Sequence, residues 1–306
     1  MKNAFVNTIF ELAKLDKNMI LITGDLGFGN LTKFCETYPS QFINAGICEQ
    51  NMTSVAAGMA LEGKTVFTYS IANFSTMRCL EQIRNDIAYH CANVKIVAVG
   101  GGFSYGASGM SHHATEDIAI MRALPEMTIF TPCDPFETIQ VTRIATSMQG
   151  PCYIRLGRGG ESSLHQSQPA IALGKAVPLV HGEDTAILVA GAIADEALAA
   201  AVILQEKQIS CAVYSFPTVK PLDKELIWRL CQKHSHLYSL EEHNIVGGFG
   251  GAVAEVITER TSSVVLHRLG LQDVYTSVVG SQEWLRSYYR ISGNKVAQAI
   301  METYAR

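Results

Sequence analysis

The chain has 306 residues, 48% of them hydrophobic and 17% charged, with a formal charge of −4. This length and apolar content suit two domains of about 150 residues, each with a substantial core; the acidic balance, with no basic stripe, argues against nucleic acid, and no apolar run approaches the ~20 residues that span a bilayer. The eight cysteines are scattered with no C-x-x-C pair, so they read as reduced, buried small hydrophobes in a cytoplasmic protein rather than as disulfides or a zinc site.

Met1-Lys2-Asn3-Ala4 leads into an amphipathic helix and not into a secretion signal. Short β-branched or apolar runs at 19–23, 42–45, 65–69, 94–99, 128–130 and 153–155 then alternate with helical patterns, which is the signature of a parallel sheet with crossover helices. A polar, nonperiodic stretch from 159 to about 169 breaks the alternation. It restarts with strands at 185–190, 211–215, 236–240 and 264–267, and with helices near 194–205, 223–233, 250–261 and 294–304. The expected fold class is α/β: two consecutive three-layer α/β/α domains with parallel sheets, at 1–165 and 183–306, joined by a linker at 166–182.

Gly46-Ile-Cys-Glu49-Gln-Asn51-Met puts one carboxylate at a strand-to-helix turn inside apolar sequence, ahead of a small-residue helix at 52–61. Burial favours the protonated form of a carboxyl, which can donate a hydrogen bond; a helix cap or a satisfied core Glu is the plainer alternative. Gly58-Met-Ala-Leu-Glu-Gly63-Lys64-Thr65 spells a phosphate-loop pattern, but a helix precedes it and a strand follows, the reverse of what phosphate binding needs. Gly63 is better read as a helix stop.

The glycine-rich run 100–109 follows a strand directly, where α/β folds place ligand loops. Behind it, Ser111-His112-His113-Ala-Thr-Glu116-Asp117 offers imidazoles and acids at a helix start. Metal ligation by His112, His113 and Glu116 fits none of the common zinc spacings; one histidine pointing into a cleft is the simpler reading. Phe74, in Ser70-Ile71-Ala-Asn73-Phe74-Ser-Thr-Met-Arg78, suits either a core or a stacking position. Arg155 and Arg158 end the last strand of the first half, where they can hold an anion or stay solvated. Glu241-Glu242-His243 suits a ligand site or, more simply, packing or a dimer contact.

Taken together, Gly24-Asp25-Leu-Gly-Phe-Gly-Asn30, the Glu49 turn, His112-His113-Ala-Thr-Glu-Asp, Arg122-Ala-Leu-Pro125-Glu-Met, Ile-Arg-Leu-Gly-Arg158 and Glu241-Glu-His-Asn-Ile-Val-Gly-Gly-Phe-Gly250 resemble, in order and spacing, the C-terminal half of transketolase. The resemblance implies a pyrimidine-binding thiamine diphosphate fold followed by a transketolase C-terminal domain, and transfer of a two-carbon ketol unit from a ketose to an aldehyde in carbohydrate metabolism. It implies Glu49 as the catalytic glutamate and Phe74 as the stacking aromatic, with Ile71 and Asp25 beside the cofactor. It also implies His112 as a catalytic, substrate-lining group and Ser108 and Arg158 as further substrate contacts. Magnesium and the diphosphate would be held mainly by a separate N-terminal subunit, because the family's Gly-Asp-Gly…Asn-Asn domain would lie before residue 1; a homodimer of this chain within a heterotetramer follows. Ser108 stands where the family has an Asp, and Gly100 and Gly29 where it has a His and a Ser that bind phosphate, which leaves the sugar open. The rivals are decarboxylating acyloin formation of the deoxyxylulose phosphate synthase type and a noncatalytic regulatory subunit.

Overall fold

In a computed structural model, described over residues 1–304, the apolar runs assemble into two sheets. The strands are β1 (Met19–Thr23), β2 (Phe42–Asn44), β3 (Thr65–Ile71), β4 (Val94–Val99), β5 (Thr128–Phe130), β6 (Cys152–Leu156), β7 (Val177–Val180), β8 (Thr185–Ala190), β9 (Cys211–Ser215), β10 (Thr218–Lys220), β11 (His236–Asn244) and β12 (Val265–Leu271). The first sheet runs β10-β5-β6-β4-β3-β1-β2 and the second β12-β11-β8-β9-β7.

Alternation along the strands explains the layering. On β1, Ile20 and Ile22 face one apolar layer while Met19 and Leu21 face another; on β8, Ala186 and Leu188 part from Ile187 and Val189 in the same way. Each sheet is therefore covered on both faces, as the continuous apolar strands require. Each fully buried aliphatic side chain contributes about 1.5–3 kcal/mol. One apolar layer is shared by the two halves: Phe216 and Phe249 lie 5.1 Å apart in the same cluster as Ile20 and Met52.

The sheets are not purely parallel. β7 runs antiparallel to β9, and β10 runs antiparallel to β5, so a strand from the second half closes an edge of the first sheet. Only Phe216 and Pro217 separate β9 from β10, so the chain passes from the second sheet to the edge of the first within two residues. β7 falls within the stretch read from sequence as linker; the backbone from 157 to 176 is otherwise irregular. Among the described residues, no helix is long and apolar enough to cross a membrane. The cysteines are all free, but Cys48 and Cys91 are exposed, contrary to the expectation that all would be buried, because both sit in turns.

Candidate functional site

The first sheet reverses its winding at β1. β2 pairs on one side of β1, and the helix Glu49–Leu61 crosses back so that β3 pairs on the other. The carboxyl ends of strands at such a switch form the ligand crevice of open α/β sheets. Glu49 opens that helix and is only 2% exposed. A Cβ on Gly24, just past β1, would meet Glu49 Cγ at 3.2 Å, so the glycine leaves room for the carboxyl. Ser70, near the end of β3, donates to Oε1 at 3.3 Å, and Arg78 Nη1 donates to Oε2 at 2.8 Å.

The apolar surroundings expected for Glu49 are thus corrected by a cationic partner. Arg78 also lies 4.6 Å from the Phe74 ring centroid, so the same guanidinium holds the acid and covers the aromatic. Arg78 and Ser70 carry no signal of their own in the sequence, although both flank Phe74 in one short segment. Half-buried Phe74 meets the His112 imidazole edge-on with centroids 5.1 Å apart, and Asn73 Nδ2 donates to the Ser111 carbonyl at 2.6 Å. Ile71 ends β3 beside them, half-buried. Asp25 takes a left-handed conformation (φ 56°) and accepts from Asn44 Nδ2 at 2.9 Å, while Asn44 Oδ1 accepts the N–H groups of Asp25 and Gly46. Asp25 therefore ties the β1 loop to the turn that presents Glu49.

The glycine-rich loop after β4 supplies the other wall. Tyr105 packs so tightly over Gly100 that a Cβ there would come within 2.1 Å of its ring. Its centroid lies 6.1 Å from that of His112 and 5.4 Å from the Arg158 guanidinium. Ser108 is exposed on the same loop. The adjacent histidines diverge: His112 is half-buried and faces Phe74, whereas His113 is buried with both ring nitrogens engaged, on Thr276 Oγ1 at 2.7 Å and the Gly106 carbonyl at 3.0 Å. His113 is therefore not free to bind a metal.

Arg155 and Arg158 also part. Arg158 is exposed, but Arg155 is buried and donates to Asp117 at 2.7 Å. Burial pushes the Asp117 carboxyl up, yet the Arg155 and His243 charges outweigh it and hold it below the ordinary carboxylate range. β11 runs on to Asn244, so Glu241, Glu242 and His243 are strand residues packed inside the molecule. Glu241 accepts the Phe249 and Gly250 N–H groups at the start of the helix Phe249–Thr258.

Among the described residues, Cys133, Glu137 and His165 form a group of potential metal ligands, of which Glu137 and His165 already bond each other at 3.1 Å. Glu137 accepts from the Cys133 N–H, the Ser215 hydroxyl and His165 Nε2, joining the loop after β5, the end of β9 and the irregular segment. A cavity of about 670 Å³ lies elsewhere, lined by none of the residues around Glu49. Its charges pair with one another, Arg122 with Glu255 and Lys224 with Glu259.

Residues 1–160 match the family model "Transketolase, pyrimidine binding domain" and residues 174–296 match "Transketolase, C-terminal domain". A putative transketolase C-terminal section of Methanocaldococcus jannaschii is 39% identical over 305 residues, covering 99% of this chain and 95% of that one. A subunit of the apulose-4-phosphate transketolase of Phocaeicola vulgatus is 34% identical over 303 residues, covering 98% and 96%. The 1-deoxy-D-xylulose-5-phosphate synthase of Heliobacterium modesticaldum is 32% identical, but the chain spans only 46% of it. Among solved structures, one described as a split gene transketolase, inactive beta4 tetramer, superposes with a TM-score of 0.91 at 33% identity, covering 99% of this chain and 97% of the other.

Proposed function

The chain belongs to the transketolase family, and from that premise we propose that it is the pyrimidine-binding subunit of a two-component, thiamine diphosphate-dependent transketolase. The observation that carries the reading is the buried Glu49 carboxyl at the switch point, bordered by an aromatic face and an imidazole. An acid, a half-buried aromatic and a polar rim at one crevice fit the aminopyrimidine end of the cofactor. When bound, thiamine diphosphate supplies the electron sink that lets a ketose carbon–carbon bond break and re-form on an aldehyde.

Glu49 binds the pyrimidine end. Its Oε1, whose Ser70 contact is long, is the oxygen that holds and passes a proton, because Oε2 is taken by Arg78. Phe74 presents the stacking face, with Ile71 and Asp25 shaping the crevice around it. His112 orients substrate oxygens, and Arg158 and Ser108 border the far end of the sugar. A single exposed guanidinium over Tyr105, with glycines at 29 and 100, favours a ketose read mainly through one anionic or polar terminus.

Magnesium and the diphosphate are assigned to the partner subunit, and the neighbour described as an inactive tetramer supports a chain that needs one. Free cysteines support a cytoplasmic complex. The irregular backbone from 157 to 176 supports a first domain ending near 165, and the pairing of β7 with β9 moves the start of the second from 183 to about 177.

Replacing Glu49 by Gln in the complex with the diphosphate-binding subunit should lower kcat at least about 100-fold while leaving the melting temperature near wild type. Turnover within a few-fold of wild type would sink the assignment. Carbon dioxide release from pyruvate by the wild-type complex would favour acyloin synthesis instead.

A further inference from the structure

The glycine-rich loop carries the substrate wall of the proposed site, yet much of what holds it comes from the second half of the chain. Glu242, 3% exposed near the end of β11, accepts the Phe103 backbone N–H. Its carboxylate lies against Gly102, where a Cβ would meet Oε1 at 2.5 Å and where φ is +63°; only glycine satisfies both constraints. Buried Arg286 donates to Glu242 Oε2, Gln282 Nε2 donates to Oε1 at 2.9 Å, and Asp195 holds Arg286 from behind at 3.0 Å.

A second anchor lies one turn further along the loop. The His113 ring bridges the Gly106 carbonyl to Thr276 Oγ1, and Tyr289 stacks on Phe103 with centroids 5.3 Å apart. Seen from its other side, the same loop presents Tyr105 under Arg158 and His112 beside Phe74. The cofactor wall is built differently: Glu49, Ser70, Phe74 and Arg78 hold one another from first-half elements alone.

We propose that Glu242 is a positioning residue for substrate: with Arg286 it fixes the glycine-rich loop, and through it Tyr105, His112 and Arg158, so that the second half of the chain sets substrate affinity without acting on the cofactor face. The proposal rests on the functional reading above. Buried and hydrogen-bonded on both oxygens, the Glu242 carboxylate fixes a backbone N–H whose displacement by even an ångström would move the whole wall.

The test uses Glu242→Gln, and Thr276→Val as a milder variant that removes only one hydroxyl. Hydrogen exchange is followed on the chain, and kinetics on its complex with the diphosphate-binding subunit, with hydroxypyruvate as donor and D-ribose 5-phosphate as acceptor. Glu242→Gln should speed exchange about ten-fold in the peptide covering 100–113 and leave the peptide around Glu49 unchanged. The acceptor KM should rise about ten-fold with kcat within about three-fold and thiamine diphosphate affinity unaltered. Thr276→Val should move the same readouts in the same direction by less. Exchange that rises equally in both peptides, or an acceptor KM that stays put in an active complex, would overturn the proposal and leave Glu242 as plain packing. A wild-type complex with no ketol transfer from hydroxypyruvate to any of a panel of phosphorylated and unphosphorylated aldoses would refute the functional reading, and this substrate role with it.

Discussion

Glu241 and His243 are buried neighbours whose titrations oppose each other. Burial pushes the Glu241 carboxyl up to about 7, against the pull of the Gly250 and Phe249 N–H groups, and pushes the His243 imidazole down to about 4 despite the nearby Asp117 charge. A carboxyl with a raised folded pKa contributes stability that is complete below its unfolded value and is lost as pH rises through about 7. A histidine with a depressed folded pKa contributes stability that is present above its unfolded value and is lost as pH falls towards about 4. Between about pH 4.5 and 6.5 the two slopes have opposite signs, each worth about 1.4 kcal/mol per pH unit. Relative to wild type, His243→Asn should therefore lower the slope of unfolding free energy against pH in this window by about one proton, and Glu241→Gln should raise it by about one. Urea titrations at intervals across the window measure both. Parallel curves for all three proteins would show that neither group changes protonation on folding.

At the level of elements, the joint between the halves depends on how one helix begins. Asp134 caps the helix Pro135–Ser147: Oδ1 accepts the Glu137 N–H at 2.8 Å, while Oδ2 accepts those of Leu164 and His165 at 2.9 and 3.1 Å. Ser281 caps its helix through a single bond to the Trp284 N–H at 3.1 Å. Ser281→Ala should cost about 1 kcal/mol, whereas Asp134→Ala, which strands one buried and two part-buried donors, should cost about 3 kcal/mol. Equal losses in denaturant midpoint would mean that Asp134 is only a cap. Legibility in the sequence follows the same physics. β4 and β8 stand out because both faces are buried, so every position is apolar except Lys95, whose ammonium donates to the Met148 and Gly150 carbonyls, and Thr185, whose hydroxyl donates to the His236 carbonyl. β7 and β10 are short edge strands of four and three residues; β7 is half-buried, and the pairing of β10 depends on the other half of the fold. Glu49 is readable as a carboxyl in an apolar turn. Arg78 is not, because its role comes from the fold bringing it over Phe74, and Glu242 is not, because its partners lie more than a hundred residues upstream or some forty downstream.

On the scale of the whole molecule, the cofactor wall opens onto a surface with several exposed apolar side chains. Ile47, two residues before Glu49, is 75% exposed, Phe28 on the β1 loop is 79% exposed, and Met110 on the loop before His112 is 54% exposed. These segments adjoin Glu49, Asp25 and His112 in the chain, and on the proposed function a subunit that brings the diphosphate end of the cofactor to Glu49 is expected to cover them. Covering Ile47 would contribute about 1.5–3 kcal/mol, and an aspartate in its place would add the cost of burying an unpaired charge. Ile47→Asp should weaken association with the diphosphate-binding subunit by at least about 30-fold, the low end of that range once the charge is added. Apparent affinity of the mixture for thiamine diphosphate should fall in step, because subunit association and cofactor binding are linked when the cofactor spans both. Glu49→Gln separates the effects: it should leave the sedimentation profile of the mixture unchanged while activity is lost. If Ile47→Asp assembles and binds cofactor like wild type, the partner docks on another face.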